Sequence, residues 1–238
     1  MRTLSDLKVK LFADGADKSE ILKACVNPLI RGFTTNPTLM RSAGVRDYEL
    51  FAREILETVK DRPISFEVFA DDFGDMERQA RKIAQWGSNV FVKIPITNTH
   101  RHSCMELAAT LAQSGVKINV TAVLTLDQVR SAATALAGGA PSLISVFAGR
   151  IADTGRDPVP MMAAAAEMLS AYPDIQLIWA SPRELLNIFQ ANDAGCHIIT
   201  LPEHILAKLE TVGKDLHDYS LETVRMFHND AAKAAYKV

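Results

Sequence analysis

The sequence predicts one α/β domain, a single closed (β/α)₈ TIM barrel followed by an extra C-terminal helix. Eight short β-rich runs alternate with longer helical patterns from one end of the chain to the other, at a spacing of about 25 residues. The runs are nearly continuous apolar stretches, such as NVFVKIPI at 89–96, which is typical of parallel strands buried on both faces. The length of 238 residues fits one such barrel.

The predicted strands lie at regular intervals. In order they are Val9–Asp14, Gly32–Asn36, Ile64–Phe69, Val90–Ile96, Lys117–Val123, Leu143–Ala148, Gln176–Ala180 and Cys196–Thr200. An open doubly wound sheet is the alternative arrangement for strands that alternate with helices. The closed barrel is favoured because no Gly-rich dinucleotide-binding loop follows any strand.

Helix starts are marked by capping residues and prolines. Four pairs have the spacing of a helix N-cap and the third helical residue: Asp17 with Glu20, Thr125 with Gln128, Ser181 with Glu184, and Thr200 with Glu203. The prolines expected at the first helical position are Pro37, Pro158, Pro182 and Pro202.

No low-complexity segment or shift in composition marks a domain boundary, so we predict one domain over residues 1–238. Ser220–Lys237 predicts one more helix beyond the eight strand–helix units, and residues 220–238 form a C-terminal helical tail. Such a tail docks either on the barrel or on a neighbouring subunit, and the sequence leaves both open.

Composition excludes several classes of protein. The hydrophobic fraction of 48% excludes disorder, and a pI near 6.3 argues against a basic nucleic-acid-binding protein. There is no signal-peptide core and no run of 18 apolar residues, so no membrane partner is expected. Cys25, Cys104 and Cys196 are widely spaced without a CxxC pair, which suits a reducing cytoplasm.

In a (β/α)₈ barrel the active site lies at the carboxyl ends of the strands. Seven consecutive predicted strands place polar residues there. In order, these residues are Asp14, Thr35 and Asn36, Glu67, Lys93, Asn119 and Thr121, Ser145, and Ser181 with Arg183 just beyond. Scattered polar residues would not align in this way, so we expect the site at this end.

Lys93 is the most informative of these residues, because it lies inside the apolar run VFVKIPI, where an ammonium group is expensive to bury. One interpretation is a lysine that extends from a strand end to solvent. The other is an amine nucleophile, since apolar surroundings favour the neutral amine, which can attack a carbonyl and form a Schiff base.

A Schiff-base mechanism needs further proton carriers. Glu67, one strand away from Lys93, can move protons at the carbinolamine, directly or through a water held by the Thr121 hydroxyl. Asp14 is the remaining carboxylate of the ring and can act as the base at the C4 hydroxyl of a ketose.

Polar residues in the ring can also hold sugar hydroxyls. These candidates are Asn36, Asn119 and Ser145. Structural roles are the alternatives: Asn36 as a helix cap before Pro37, Asp14 as the start of a turn at Gly15, and Asn119 as a partner of the backbone.

An anion site is predicted beside this ring. Arg150 follows strand six and Arg183 follows strand seven, so the two arginines lie on adjacent loops. Ser181 is predicted to cap a helix that begins at Pro182, whose free N–H groups would face the same place. The pair Ser181 and Glu184 is equally explained as a simple capping box. Two arginines and a helix start at one barrel mouth are typical of phosphate sites.

No metal site is expected. His100 and His102 resemble a pair of metal ligands, but no further His, Cys or Asp follows at ligand spacing. Asp71 and Asp72 are more simply explained as a polar turn after the third strand.

Six motifs in the sequence resemble the transaldolase family. They are GFTTNPTL (32–39), SFEVFA (65–70), VFVKIPIT (90–97), INVTAV (118–123), SVFAGRI (145–151) and TLPEHIL (200–206). The resemblance implies a class I enzyme that uses no metal and no cofactor. Such enzymes move a dihydroxyacetone unit from a ketose phosphate, fructose 6-phosphate or sedoheptulose 7-phosphate, to an aldose phosphate, a reaction of the pentose phosphate pathway.

By motif, the resemblance assigns roles to the ring residues. Lys93 corresponds to the Schiff-base lysine, Asp14 to the general acid/base, and Glu67 with Thr121 to the proton relay. The implied substrate-hydroxyl contacts are Asn36, Asn119 and Ser145. The implied phosphate site is Arg150, Ser181 and Arg183, and the remaining substrate-binding candidates are Thr35 and Phe147.

The length resembles that of the compact members of the family, which often assemble through C-terminal helices, so we expect a homo-oligomer (a dimer, pentamer or decamer). This group includes fructose 6-phosphate aldolases, which cleave without a sugar acceptor and typically have glutamine at the position of Glu67 and tyrosine at that of Phe147. Relatives often have an aromatic residue at the position of Pro182, so the tail group of the substrate stays open between phosphate and another anion such as a sulfonate.

Two alternatives to a transaldolase follow. One is an aldolase on the same scaffold, and the other is a non-catalytic barrel that binds a sugar phosphate. Lys93 argues against the second, because a binding protein has no need of a buried amine among apolar neighbours.

Overall fold

Eight parallel strands close into a barrel in the computed structural model, which describes residues 3–234. Neighbours in the barrel are also neighbours in sequence, and β8 closes onto β1. The strands are β1 Lys10–Asp14, β2 Ile30–Thr34, β3 Ile64–Glu67, β4 Val90–Pro95, β5 Ile118–Val123, β6 Ser142–Val146, β7 Ile175–Trp179 and β8 Ile198–Pro202. The predicted (β/α)₈ barrel is confirmed.

Helices connect the strands and cover the outside of the barrel. They are α1 Lys18–Val26, α2 Pro37–Ser42, α3 Tyr48–Thr58, α4 Phe73–Ala84, α5 Met105–Gln113, α6 Leu126–Leu136, α7 Ala148–Ala152, α8 Val159–Leu169, α9 Leu186–Asp193, α10 Glu203–Leu206 and α11 Leu216–Lys233. Short 3₁₀ turns lie at Leu4–Asp6 and Leu209–Thr211. Among the described residues, no helix is both long and apolar enough to cross a membrane.

Each predicted strand overlaps an observed one, with shifted ends. The largest shifts are of two residues at both ends, in β8 and β2. β8 begins and ends two residues later than predicted, at Ile198 and Pro202. β2 begins two residues earlier than predicted and ends at Thr34 instead of Asn36. Asn36 leaves the sheet because its side chain caps α2, accepting a hydrogen bond of 2.9 Å from the Leu39 N–H. Pro37 then begins the helix, as predicted.

Two of the four predicted capping pairs form. The Asp17 side chain accepts from the Glu20 N–H at 3.1 Å. Thr125 and Gln128 form a complete capping box at the start of α6.

The prediction that Ser181 and Glu184 cap a helix is wrong, because α9 begins only at Leu186. The Asn187 side chain turns back and accepts the N–H groups of Arg183 and Glu184, at 2.7 and 3.1 Å. These bonds hold the segment after β7 as a loop, so Pro182 does not begin a helix.

The pairing of Thr200 with Glu203 is also wrong. Thr200 lies inside β8, where its hydroxyl is 2.6 Å from the Thr34 hydroxyl. Pro202 and Pro158 are N-caps instead of first helical residues, at α10 and α8 respectively.

Apolar side chains fill the inside of the barrel. This inner cluster consists of Phe12, Leu143, Ile178, Ala180 and Ile198, with Phe91 and Phe147 packed against it. Gly32 on β2 makes room for the Phe12 ring, because a Cβ at that position would stand 2.4 Å from a ring carbon. The packed interior separates the two mouths of the barrel.

The C-terminal helix begins earlier than predicted, at Leu216 instead of Ser220, because Asp215 caps it by accepting the N–H groups of His217 and Asp218. No residue of α11 is buried. Residues 235–238 of the predicted tail lie outside the described residues.

Candidate active site

A cavity of about 380 Å³ opens at the carboxyl ends of the strands. Nine of the predicted site residues line it: Asp14, Asn36, Glu67, Lys93, Thr121, Ser145, Phe147, Arg150 and Ser181. The other three, Thr35, Asn119 and Arg183, lie outside its lining. The predicted ring therefore exists as one concave site, with those three residues around it.

Lys93 is buried at the centre of this site. Its Nζ is 3.1 Å from Glu67 Oε2 and donates a hydrogen bond of 2.8 Å to the Thr35 carbonyl. The prediction that apolar side chains surround the amine is wrong. Successive side chains of a strand face opposite sides, so the apolar neighbours of Lys93 in sequence point away from it. The amine therefore meets polar groups inside the barrel.

Strand register sets the distance between Lys93 and Glu67. The two residues are direct partners across the parallel pair β3 and β4. Asn119 is the partner of Lys93 on the next strand. Three consecutive strands thus present their polar side chains at one level of the barrel.

Asp14, at the end of β1, is the second carboxyl group of the cavity. The Thr34 hydroxyl donates to its Oδ1 at 2.7 Å. Burial raises the pKa of Asp14 and the nearby Glu67 charge adds to this rise, while Lys93 and the Thr34 hydrogen bond act in the opposite direction. A carboxyl group that holds its proton more readily is suited to general acid/base chemistry.

Glu67 is held from outside the barrel by Tyr48 of α3, which was not predicted. The Tyr48 hydroxyl accepts the Glu67 N–H at 2.7 Å and donates to the Glu67 carbonyl at 3.0 Å. The Tyr48 ring packs edge-on against Phe66 and Trp86. No spacing in the sequence marks Tyr48, because it lies 19 residues from Glu67 on a different element.

Thr121 and Ala122 occupy a distorted part of β5. Ala122 has a φ of 60°, and the pairing with β6 shifts between Val120 and Val123. Both Thr121 and Ala122 line the cavity, although consecutive residues of a regular strand face opposite sides. A non-glycine residue at positive φ costs about 1–3 kcal/mol, and such outliers cluster at functional sites.

The Thr121 hydroxyl is the one cavity-lining buried polar atom without a hydrogen-bond partner among residues 3–234. Thr121 lies two residues after Asn119 on β5 and therefore shares its inward face. It is therefore available to bind a substrate oxygen or a water.

Asn119 and Thr35 are fully buried and lie outside the lining of the cavity. Asn119 accepts the Ser145 hydroxyl at 2.7 Å and donates to the Ser65 hydroxyl at 3.0 Å. The Thr35 hydroxyl donates to the Ser65 carbonyl at 2.9 Å. In this arrangement Asn119 orients Ser145, and Thr35 holds Lys93 through its backbone.

The loops after β6 and β7 touch at Gly149. A Cβ at Gly149 would lie 1.5 Å from the Ser181 carbonyl oxygen, so no other residue type fits there. Ser181 itself has a φ of 60°. This contact brings Arg150, whose guanidinium lies 5.5 Å from the centre of the Phe147 ring, next to Ser181 at the rim of the cavity.

Arg183 is bound to Asp153, a residue that was not predicted. The Arg183 Nε donates to Asp153 Oδ1 at 2.8 Å, a second nitrogen pairs with Oδ2, and Nη1 donates to the Ser181 hydroxyl at 3.0 Å. The pair lowers the pKa of Asp153 and raises that of Arg183. Asp153 lies one helical turn after Arg150, and that spacing is the only signal for it in the sequence.

The predicted helix start does not contribute to this anion site, since Asn187 occupies the N–H groups of Arg183 and Glu184. The groups that remain at the predicted anion site are the side chains of Arg150, Ser181 and Arg183.

The residues considered as metal ligands take other roles. The Asp72 side chain caps α4, and Asp71 accepts the N–H and hydroxyl of Thr99. His100 Nε2 lies 3.7 Å from Asp71. Among residues 3–234, no group of three or more His, Cys, Asp or Glu is placed to hold a metal ion.

Comparisons with known proteins show the family of this chain. The family model described as Transaldolase/Fructose-6-phosphate aldolase matches residues 11–238. A probable transaldolase from Thermoanaerobacter sp. is 34% identical over 231 residues, which cover 97% of this chain and all of the relative. Probable transaldolase 2 from Listeria monocytogenes is 36% identical over 202 residues, covering 84% of this chain and 88% of the relative.

Solved structures match the fold at low identity. A mandelate oxidase mutant has a TM-score of 0.57 at 12% identity, covering 85% of this chain and 71% of that one. A putative phosphonomutase from Burkholderia cenocepacia has a TM-score of 0.54 at 11% identity, covering 95% and 96% of the two chains. At these identities the likeness concerns the barrel alone.

Proposed function

Since the chain belongs to the transaldolase/fructose-6-phosphate aldolase family, we propose that it is a transaldolase that works through a Schiff base on Lys93. It transfers a dihydroxyacetone unit from fructose 6-phosphate or sedoheptulose 7-phosphate to an aldose phosphate. The observation that carries this proposal is the buried Lys93 amine, 3.1 Å from the Glu67 carboxylate at the carboxyl end of the barrel.

The first step joins substrate and enzyme. Glu67 accepts a proton from the Lys93 ammonium, and the free amine attacks the C2 carbonyl of the ketose. Glu67 then donates a proton to the carbinolamine hydroxyl, directly or through a water bound by the Thr121 hydroxyl. Water leaves and the iminium forms.

The second step breaks the carbon–carbon bond. Asp14 takes the proton of the C4 hydroxyl, the C3–C4 bond breaks, and its electron pair moves into the iminium to form an enamine. The shortened aldose leaves. The enamine carbon then attacks the aldehyde of the acceptor, Asp14 returns its proton to the new hydroxyl, and water hydrolyses the iminium.

The remaining residues bind the substrate. Ser145, oriented by Asn119, and Asn36, which lines the cavity, bind sugar hydroxyls in this proposal. Arg150, Ser181 and Arg183 hold the terminal anion, which we propose is a phosphate. Bound far from the reacting carbons, this group supplies binding energy that holds the ketone against Lys93.

An aldolase on the same scaffold would protonate the enamine instead of passing it to an acceptor. The Glu67 ion pair with Lys93 and the hydroxyl-free ring of Phe147 support transfer over cleavage, because aldolases of the family typically have glutamine and tyrosine at these positions.

Borohydride trapping tests the covalent step. Incubation with fructose 6-phosphate and borohydride should add a sugar-derived mass at Lys93, and Lys93→Met should lose it. No adduct on any lysine would overturn the mechanism and favour a non-catalytic barrel. Turnover of fructose 6-phosphate that requires erythrose 4-phosphate indicates transfer, and turnover without that acceptor indicates an aldolase.

We further propose that copies of this chain assemble through α11, and that the chain works in the cytoplasm, where its three free cysteines stay reduced. Helix α11 buries none of its residues and exposes six large apolar side chains: Leu216, Tyr219, Leu221, Val224, Met226 and Phe227. Helices gain most of their stability from packing, and identical copies are the commonest partners of soluble proteins.

Light scattering tests the assembly. The wild type should form a dimer, pentamer or decamer, and Val224→Glu with Phe227→Glu should dissociate it, whereas Arg225→Gln should not. A monomeric wild type would overturn the proposal.

A further inference from the structure

We propose that the amino-terminal mouth of the barrel, opposite the candidate active site, binds a small polyanion with at least two phosphate or carboxylate groups. A cavity of about 900 Å³ opens there, within the size range of small-molecule sites. It is lined by the starts of the strands and by the turns that precede them. It shares no lining residue with the carboxyl-end cavity.

The lining of this mouth is strongly cationic. It contains five basic residues, namely Lys10, Arg31, Lys60, Arg62 and Lys117, against two acidic ones, Asp61 and Asp174. The whole chain has a net charge of −2, so positive charge is concentrated here. A concave site lined by one sign of charge raises the local concentration of oppositely charged ligands.

These cations are free to bind an anion. None of the five forms an ion pair with a carboxylate among residues 3–234. Arg62 donates to the carbonyls of Cys25 and Ile30, and Lys117 donates to the Ser88 carbonyl, so backbone groups hold both in place without neutralising them. Arg31 and Lys60 are exposed.

The floor of the cavity is apolar and closed. It is formed by Phe12, Leu143 and Ile198 of the inner cluster, together with Phe91. Lys117 Nζ lies over the Phe91 ring, 5.7 Å from its centre. Low-dielectric walls strengthen the attraction between the cations and a ligand. The basic residues come from different strands and turns, which favours a ligand with several anionic groups over one with a single charge.

Calorimetric titration with inorganic tripolyphosphate, and separately with citrate, tests the proposal and distinguishes phosphate from carboxylate ligands. The wild type should bind at least one of them, more weakly as salt is added. Arg31→Gln with Lys60→Gln removes two exposed cations of the mouth and should weaken binding on the order of tenfold or more. Lys208→Gln with Arg130→Gln removes two cations that line neither cavity and should leave the affinity unchanged.

An Arg150→Gln variant separates the two mouths, because it removes a cation of the opposite cavity and should keep the binding described here. The proposal is overturned if neither probe binds the wild type. It is equally overturned if the mouth variant binds as tightly as the wild type, if the Lys208 and Arg130 control weakens binding equally, or if Arg150→Gln abolishes it.

Discussion

The Tyr48 hydroxyl bridges both backbone polar groups of Glu67, accepting its N–H at 2.7 Å and donating to its carbonyl at 3.0 Å. Glu67 is thus fixed by a residue of the outer helix layer that does not reach the cavity. In the proposed mechanism Tyr48 is a positioning residue for the proton relay, and its effect on the reaction must pass through Glu67.

Removing that hydroxyl should slow the reaction without weakening substrate binding. In Tyr48→Phe, two backbone groups of Glu67 lose their partner, and the carboxylate shifts relative to Lys93. We expect kcat to fall on the order of tenfold with little change in KM, because sub-ångström placement governs proton transfer. Trp86→Phe disturbs the same aromatic packing without touching Glu67, and should lower thermal stability while keeping kcat. An equal loss of kcat in both variants would show that Tyr48 acts through packing alone.

Replacing the relay carboxyl itself should have a larger effect. Glu67→Gln keeps the size of the side chain but removes the proton carrier and the ion pair with Lys93. The loss of one positioned acid/base group lowers the rate by roughly 10²–10⁴. Single-turnover borohydride trapping should show slower Schiff-base formation in a protein that still folds. Unchanged turnover would make Glu67 a structural carboxylate.

The anion site should affect binding more than chemistry. A charge-assisted hydrogen bond contributes about 1.5–3 kcal/mol, so Arg150→Gln or Arg183→Gln should lower kcat/KM by roughly 10–150-fold, mainly through KM. Unphosphorylated fructose is the matched control, since it does not use this site. Arg183→Gln should therefore reduce the preference for fructose 6-phosphate over unphosphorylated fructose. Equal losses for both sugars would mean that the pair of Arg183 and Asp153 only holds the loops together.

Asp14 should lower the free energy of unfolding at neutral pH. Its pKa is raised in the folded protein, mainly by burial, so the folded state binds the proton more tightly than the unfolded chain does. The wild type is therefore relatively most stable below the ordinary aspartate pKa of about 4, and it loses this stability as the pH rises through the raised pKa. Asp14→Asn mimics the protonated carboxyl and therefore removes this pH-dependent loss of stability.

Asp14→Asn should accordingly have a higher free energy of unfolding than the wild type at pH 7, and this advantage should shrink toward pH 3. Its turnover should fall by roughly 10²–10⁴. Urea titrations at the two pH values measure the difference. A stability advantage that grows as the pH falls would contradict the assigned direction of the pKa shift.

Much of the barrel follows from local patterns in the sequence. Apolar runs define the eight strands, and Thr125 with Gln128 defines a helix start, because these signals act over a few residues. The Ser181 cap failed because Asn187, which follows Glu184 by three residues, competes for the same N–H groups. The spacing of residues in the sequence does not show which of the two side-chain acceptors, Ser181 or Asn187, binds these N–H groups.

In the candidate site, too, local patterns predict some residues and miss those whose contacts depend on three-dimensional packing. Residues such as Lys93 and Ser145 lie on strands, so the period of two places them in the barrel together. Tyr48 lies on α3 and Asp153 directly follows α7, and their contacts depend on how loops and helices pack in three dimensions. Ala122 reaches the cavity only through a strand distortion, for which alanine gives no signal.

The pairing of Glu67 with Lys93 in the register of β3 and β4 would make the proposed lysine adduct a measure of correct strand register. A slip of one residue would turn Lys93 toward the helix layer and replace it, inside the barrel, with an apolar neighbour. Misregistered chains could keep most of their secondary structure and still fail to react with the sugar. The fraction of molecules labelled in a refolding time course would therefore count correctly registered barrels, which circular dichroism cannot distinguish from slipped ones.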